Sequence, residues 1–220
     1  MPRIATIRRW LGILPIILGL VVGANATAQM TMVSSLDQPM RNVDPVATDS
    51  WIADKFTTSD SSGGFDLTSA TIQFSAADVD DGNYFAAIYT DDSDVPGVQI
   101  GSALSGTLFP ATAGRYIFTT SGIHLNANTS YWLVEGVTTG DSVYNPDYEI
   151  ATPSITDVWT ITGRYTFSAD AAATWAPVNA DGPVMYSLQA QAVPEPAEFG
   201  LIGGVVGLMA VFASRRRWKK

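Results

Sequence analysis

With no cysteine and a single histidine in 220 residues, any chemistry this chain performs must rest mainly on carboxylates. The lone imidazole, His124 in Gly122-Ile123-His124-Leu125, alternates with apolar neighbours, which reads as a solvated strand residue. No Gly-x-Ser-x-Gly elbow accompanies it, so a serine triad lacks both its base and its frame. Walker and dinucleotide-binding glycine patterns are also missing, and the absence of cysteine excludes thiol catalysis, Cys-ligated zinc and iron–sulfur centres.

Two groups of acids are dense: Asp78, Asp80 and Asp81 before Gly82-Asn83, and Asp91, Asp92 and Asp94 before Pro96-Gly97. Calcium gathers about six to eight oxygens from carboxylates and carbonyls on tight loops, so both are candidate weak calcium loops. Neither has the register or terminal Glu of an EF-hand, and Asp and Asn serve ordinary turn geometry equally well. The two groups flank one candidate strand, which places them at its opposite ends as separate sites. A carboxylate pair could also hydrolyse glycosides across a defined gap, but no convergent aromatic cleft is legible beside one. The aromatic residues Trp51, Tyr84, Tyr89, Tyr131, Trp132, Trp159, Tyr165 and Trp175 suit either core packing or sugar stacking. In Tyr131-Trp132 the two rings must point to opposite faces of one strand.

The elements that position these residues are strands. From Ser50 to Ala192 apolar and polar residues alternate with period two, and helical spacing is nowhere sustained. Candidate strands are Trp51–Thr58, Ala70–Ala76, Tyr84–Thr90, Gln99–Leu104, Tyr116–Thr119, Ser130–Val137, Val158–Phe167 and Val184–Ala190. Turn clusters separate them, among them Ser61-Ser62-Gly63-Gly64, Asp81-Gly82-Asn83, Pro96-Gly97 and Asp181-Gly182-Pro183. The expected fold is all-β, a single β-sandwich of jelly-roll or Greek-key type over residues 50–192, with residues 29–49 as a leading strand and linker. No internal repeat points to a solenoid or propeller.

The ends of the chain carry addressing signals. Arg3, Arg8 and Arg9 precede an apolar run from Trp10 to Val22, followed by small residues ending in Ala24-Asn25-Ala26-Thr27-Ala28. This order is that of a secretory signal peptide over residues 1–28, handled by the translocon and cut by signal peptidase after Ala26 or Ala28. The run of 13 residues falls short of the roughly 20 that span a bilayer. At the other end, Val193-Pro194-Glu195-Pro196 forces an extended stretch. A charge-free apolar run from Phe199 to Ala213 and the cluster Arg215, Arg216, Arg217, Trp218, Lys219, Lys220 follow. With its edges the apolar segment, residues 197–214, reaches 18 residues, the lower limit of a spanning helix, and the basic cluster holds its end in the cytoplasm. A permanent single-pass anchor is the alternative to a processed tail.

Only Arg41, Lys55, Arg115 and Arg164 stand against 19 Asp and Glu between Gln29 and Ala192, a balance of −15 for the middle of the chain. A phosphate-binding surface needs clustered Lys and Arg, so nucleic acid is excluded as a partner. Without disulfides, an exported domain is held by core burial alone.

The order Pro-Glu-Pro, short apolar helix, Arg cluster resembles the PEP-CTERM sorting signal. That resemblance implies cutting by an exosortase near Val193 to Pro196, transient membrane anchoring, and delivery to the surface or exopolysaccharide matrix of a Gram-negative bacterium. Trp51-Ile-Ala-Asp-Lys-Phe-Thr-Thr58, Leu67-Thr-Ser-Ala-Thr-Ile72, Ala87-Ile-Tyr89 and Leu125-Asn-Ala-Asn-Thr-Ser-Tyr-Trp-Leu-Val134 are similar to pieces of the choice-of-anchor R type ectodomains. That likeness implies a sandwich and names no activity. The expectation is a non-enzymatic exported protein without a resident cofactor, weak calcium aside, with a carbohydrate-binding module of the envelope and an extracellular hydrolase as alternatives.

Overall fold

The computed structural model describes residues 29–77, 82–148, 155–179 and 182–194. The signal-peptide region with Ala26 and Ala28, the acids Asp78, Asp80 and Asp81, and the tail from Glu195 onward, with Pro196 and the cluster Arg215, Arg216, Arg217, Lys219 and Lys220, lie outside the described residues.

Among the described residues all regular structure is β. Twelve strands follow in chain order: β1 Met30–Ser34, β2 Asn42–Val43, β3 Trp51–Thr57, β4 Phe65–Phe74, β5 Tyr84–Asp92, β6 Val95–Gln99, β7 Gly114–Leu125, β8 Ser130–Val137, β9 Asp147–Tyr148, β10 Ile155–Thr156, β11 Thr160–Ser168 and β12 Tyr186–Ala192. They form a four-stranded sheet in the order β1-β12-β4-β7, a six-stranded sheet in the order β10-β11-β3-β8-β5-β6, and the short ribbon β2-β9. Residues 29–49 do supply a leading strand, β1, which pairs antiparallel with β12, Met30 opposite Ala190.

Period-two alternation is what stacks the sheets. Leu67, Ile72 and Phe74 of β4, Phe118 of β7 and Leu188 of β12 share one buried cluster with Ile52 and Phe56 of β3, Ile88 of β5 and Leu133 of β8. Rings lock the two layers together: Phe74 meets Tyr84 edge-on at 5.1 Å, and Tyr84 meets Phe118 at 5.3 Å. Trp159, which precedes β11, stacks on Phe56 at 5.7 Å and takes the edge of Phe65 from the other sheet at 5.2 Å. Such aromatic pairs contribute about 0.5–1.5 kcal/mol each beyond their area.

The outer face of the six-stranded sheet is covered as well. Ala53, Phe85, Ala87, Trp132 and Val134 form a second apolar cluster, closed by Trp51, Tyr89, Trp175 and Val178. Tyr131 belongs to the first cluster and Trp132 to the second, so adjacent rings do face opposite ways.

Several boundaries differ from expectation for local reasons. The turn after β5 is Ser93-Asp94, both with positive φ (56° and 72°), as a two-residue hairpin turn requires. Pro96 and Gly97, expected to be the turn, lie within β6, an edge strand where a missing N–H donor is tolerated. Strand β7 runs past the expected end at Thr119 because Gly122, at φ 85°, accommodates a register shift opposite β4 and lets pairing resume at Ile123. Similarly β4 begins at Phe65 rather than Ala70, and only Ser130–Val137 has the expected bounds at both ends.

Gly136 on β8 marks the tightest outer packing: Trp51 and Phe85 meet at 4.6 Å over it. A Cβ there would lie 2.6 Å from the Trp51 indole carbons and 2.8 Å from Phe85 Cε1. Gly136→Ala is therefore expected to destabilise the fold by about 1–3 kcal/mol through overpacking, measured by urea denaturation; an unchanged midpoint would show that the two rings yield freely.

Candidate functional site

Three polar groupings stand out, and they differ in what can reach them. The first lies on the outer face of the six-stranded sheet. Cross-strand register aligns Tyr89, Trp132 and Lys55 in one row. The Lys55 ammonium sits 2.9 Å from Asp91 Oδ1 and 2.8 Å from Asp94 Oδ1, with 11% of its side chain exposed. Its Nζ lies 5.6 Å from the centroid of the Trp132 ring, within cation–π range. The Trp132 indole N–H donates to Asp91 Oδ1 at 2.7 Å, and Arg164 pairs with Asp94 Oδ2. Desolvation opposes ionisation of Asp94, but the hydrogen bonds and charges of Lys55 and Arg164 prevail and hold its pKa below the ordinary value. Asp91 and Asp94, expected as calcium ligands, thus already have side-chain cations as partners. Asp92 accepts from its neighbour Ser93 at 3.3 Å. Among the described residues no group of three or more acids and histidines is arranged to hold a metal ion.

The second grouping is sealed inside the sandwich. Asp54 and Glu135 point inward from β3 and β8, 1% and 0% exposed. The Tyr84 hydroxyl donates to Glu135 Oε2 at 2.7 Å, and the Val184 amide donates to Asp54 Oδ1 at 3.3 Å. Asp54 Oδ2, Glu135 Oε1 and the Tyr186 hydroxyl have no hydrogen-bond partner. Among the described residues neither acid forms an ion pair, so holding both of them charged there is costly. Burial pushes the Glu135 carboxyl up to about 8, with the Asp44 charge adding to it and the Tyr84 bond opposing. Burial, then Glu135 and Asp44, raise Asp54 well above its ordinary value. Glu135 is therefore neutral at mildly acidic pH, and the shift of Asp54 favours its neutral form as well. Enclosed as they are, they cannot touch a substrate in this conformation.

The third grouping is open. Where the ribbon β2-β9 crosses the ends of β3 and β11, a cleft of about 450 Å³ is lined by Asp44, Ser50, Tyr148, Tyr165, Phe167 and Asn179, among others. Backbone bonds set its walls: the Asp44 amide donates to the Pro146 carbonyl at 2.9 Å, the Met185 amide to that of Asp147 at 2.7 Å, and Asn179 exchanges bonds with Tyr165. Tyr165, expected as a core or stacking ring, belongs to the main core cluster and also lines the cleft. Sequence reasoning missed Asp44, Asn179 and Phe167, which come together only through the ribbon. Asp54 and Glu135, by contrast, share the inward parity of Ile52 and Phe56, and of Leu133 and Val137, so strand alternation could have found them.

The remaining expected residues are easily placed. His124 is exposed on β7, its Nδ1 2.9 Å from Asp66 Oδ1, while Ile123 and Leu125 are buried. Of the expected sorting motif, Val193 and Pro194 lie within the described residues, and the Val193 amide donates to the Gly64 carbonyl at 3.0 Å.

The buried acids make stability depend on pH. Because the Glu135 carboxyl in the fold titrates near 8 rather than 4.5, the folded protein holds more protons than the unfolded chain across that interval. Stability is full below the interval and falls as pH rises through it, by at most about 1.4 kcal/mol per pH unit per group. Asp54 adds to the loss in the same direction. Glu135→Gln preserves an acceptor for Tyr84 and removes the Glu135 share, so urea titrations at pH 5 and pH 8 should differ less for the variant than for the native chain. Equal losses in the two proteins would refute the assignment.

No protein-family model, no curated protein and no solved structure matches the chain.

Proposed function

We propose that the chain is an exported, non-enzymatic protein of the cell surface or extracellular matrix, a jelly-roll or Greek-key sandwich delivered by its N-terminal signal helix and sorted through its C-terminal tail. In this reading the tail helix anchors the domain in the inner membrane with Arg215, Arg216, Arg217, Lys219 and Lys220 in the cytoplasm. An exosortase then cuts near Val193, Pro194, Glu195 and Pro196, and the domain passes to the surface or exopolysaccharide of a Gram-negative cell.

The pairing of β1 with β12 carries this reading. The strands are antiparallel, with Met30 opposite Ala190, so the lead from the signal peptide and the lead into the tail leave the sandwich side by side at one pole. Such an arrangement suits a domain whose two leads face one membrane before signal peptidase cuts the first and the exosortase the second. The fold also ends where the motif begins. The last strand stops at Ala192, and the Ser61–Gly64 turn closes on Val193 so tightly that a Cβ on Gly63 would lie 2.1 Å from the Val193 carbonyl oxygen. A cut beyond Val193 leaves every strand pairing intact.

Mass spectrometry of the surface-located protein tests the proposal. The mature chain should begin just after Ala26 or Ala28 and end between Val193 and Pro196. A surface product that still carries residues 199–220 would overturn processing, leaving a permanent anchor as the explanation of the tail.

A further inference from the structure

We propose that the turn at residues 61–64 decides where the tail is cut: it shields the peptide bonds on both sides of Val193 and directs the cutting enzyme to bonds after Pro194. The inference rests on the sorting reading above and names the element that gives the processing its position.

Cutting a peptide bond adds a nucleophile to the carbonyl carbon, carries charge onto the carbonyl oxygen and releases the nitrogen as an amine. The oxygen must enter an oxyanion hole, and an extended substrate is taken up through its backbone hydrogen-bonding groups. At Val193 those groups are already engaged. Its N–H donates to the Gly64 carbonyl at 3.0 Å, which ties down the bond that joins it to Ala192. Its carbonyl oxygen and carbon lie against Gly63, where an added Cβ would stand 2.1 Å and 2.9 Å from them. On that side the bond to Pro194 has no room for an enzyme's donors. Pro194 has no N–H with which to continue the pairing, so the shield ends there.

The turn is itself anchored. The Gly64 amide donates to the Ser61 carbonyl at 2.9 Å, and the Ser61 hydroxyl donates to the Gly64 carbonyl at 3.1 Å. Gly64, at φ 70°, also abuts the end of β7: a Cβ there would meet the Leu125 carbonyl oxygen at 2.6 Å and His124 Nε2 at 2.8 Å. Asp66 holds His124 at 2.9 Å, and Phe65 lies opposite both Ala192 of β12 and Leu125 of β7. A frame of three strands therefore backs the contact with Val193. Gly63 is the residue through which to open it. It is not among the glycines of positive φ, so alanine adopts its backbone without strain, and the new Cβ must displace the Val193 carbonyl.

Two measurements on the native chain, Gly63→Ala and Gly136→Ala test the proposal. In the first, the full chain in detergent is digested briefly with proteinase K and its C-terminal peptide is identified by mass spectrometry. The native core should end at Pro194 or later. Gly63→Ala should end at Ala192 or Val193 about tenfold more often, because cleavage follows the population of the opened form. In the second, the surface product of the producing cell should end at Pro194, Glu195 or Pro196 for the native chain, with ends at Ala192 or Val193 appearing in Gly63→Ala. Gly136→Ala, destabilised on the outer face with the turn intact, should keep the native ends in both, which separates an opened turn from lost stability. Native products ending at Ala192 or Val193, unchanged ends in Gly63→Ala, or the same shift in Gly136→Ala would each overturn the proposal. A surface product that retains residues 199–220 while the digest still spares Val193 would overturn the sorting reading, and with it the turn's part in processing. A native digest that cuts beside Val193 while the cell still removes the tail would overturn the shield alone.

Discussion

The constraint on which the rest of the molecule depends is the insertion of the last strand between the first and the fourth. Strand β12 hydrogen-bonds to β1 on one side and to β4 on the other, with Leu188 opposite Ala70 and Ser187 opposite Ser34. The four-stranded sheet is incomplete until residue 192 is available, and loop closure over more than a hundred residues must precede the contacts that reward it. With no disulfide to hold partial structure together, completion of that sheet depends on this long-range pairing. The same insertion brings both chain leads to one pole and leaves the other pole free for the ribbon β2-β9 and its cleft.

Burying Asp54, Glu135 and Tyr186 in such a core has a cost that apolar residues would avoid. Burial limits it by raising both carboxyl pKa values toward the uncharged forms, and each acid accepts one hydrogen bond, at 3.3 Å from the Val184 amide and 2.7 Å from the Tyr84 hydroxyl. These bonds join β8 to β5 and tie β3 to the chain entering β12, so they link the six-stranded sheet to the segment that completes the other sheet. A carboxyl bonded to a specific amide tolerates a slip in register far less than a leucine does. The outer cluster around Lys55 does the opposite: its charges are paired, partly solvated, and fasten the β5–β6 hairpin and Arg164 of β11 across Trp132.

The fold class was legible because alternation is a local property. Strand β8 could be bounded at both ends because Tyr131, Leu133 and Val137 alternate cleanly with Trp132 and Val134 between turn residues. It failed where the backbone does something the side chains do not announce. Thr120-Ser121-Gly122 has the composition of a loop, yet the glycine carries β7 through a register shift, and Pro96-Gly97 has the composition of a turn, yet Ser93-Asp94 makes it. The two-residue strands β2, β9 and β10 are too short to show any period. They are defined by their partners, which lie far away in sequence.

The same distinction separates the proposed address from the cleft. An address is recognised as an extended or helical segment before or after folding, so the signal proposed for Val193-Pro194-Glu195-Pro196, its apolar run and its basic cluster has to be contiguous. A cleft has no such requirement. Asp44, Tyr148, Phe167 and Asn179 are spread over 136 positions and converge because β2 pairs with β9, Tyr165 bridges to Asn179, and Ile52 of β3 lies opposite Phe167 of β11. None of these residues is of an unusual type or spacing. Each is unremarkable until pairing within the ribbon and the six-stranded sheet places it: Asp91 and Asp94, which stand out by their density, are partnered by Lys55 and Arg164, while the open aromatic and polar cleft is assembled from residues that no local pattern marks.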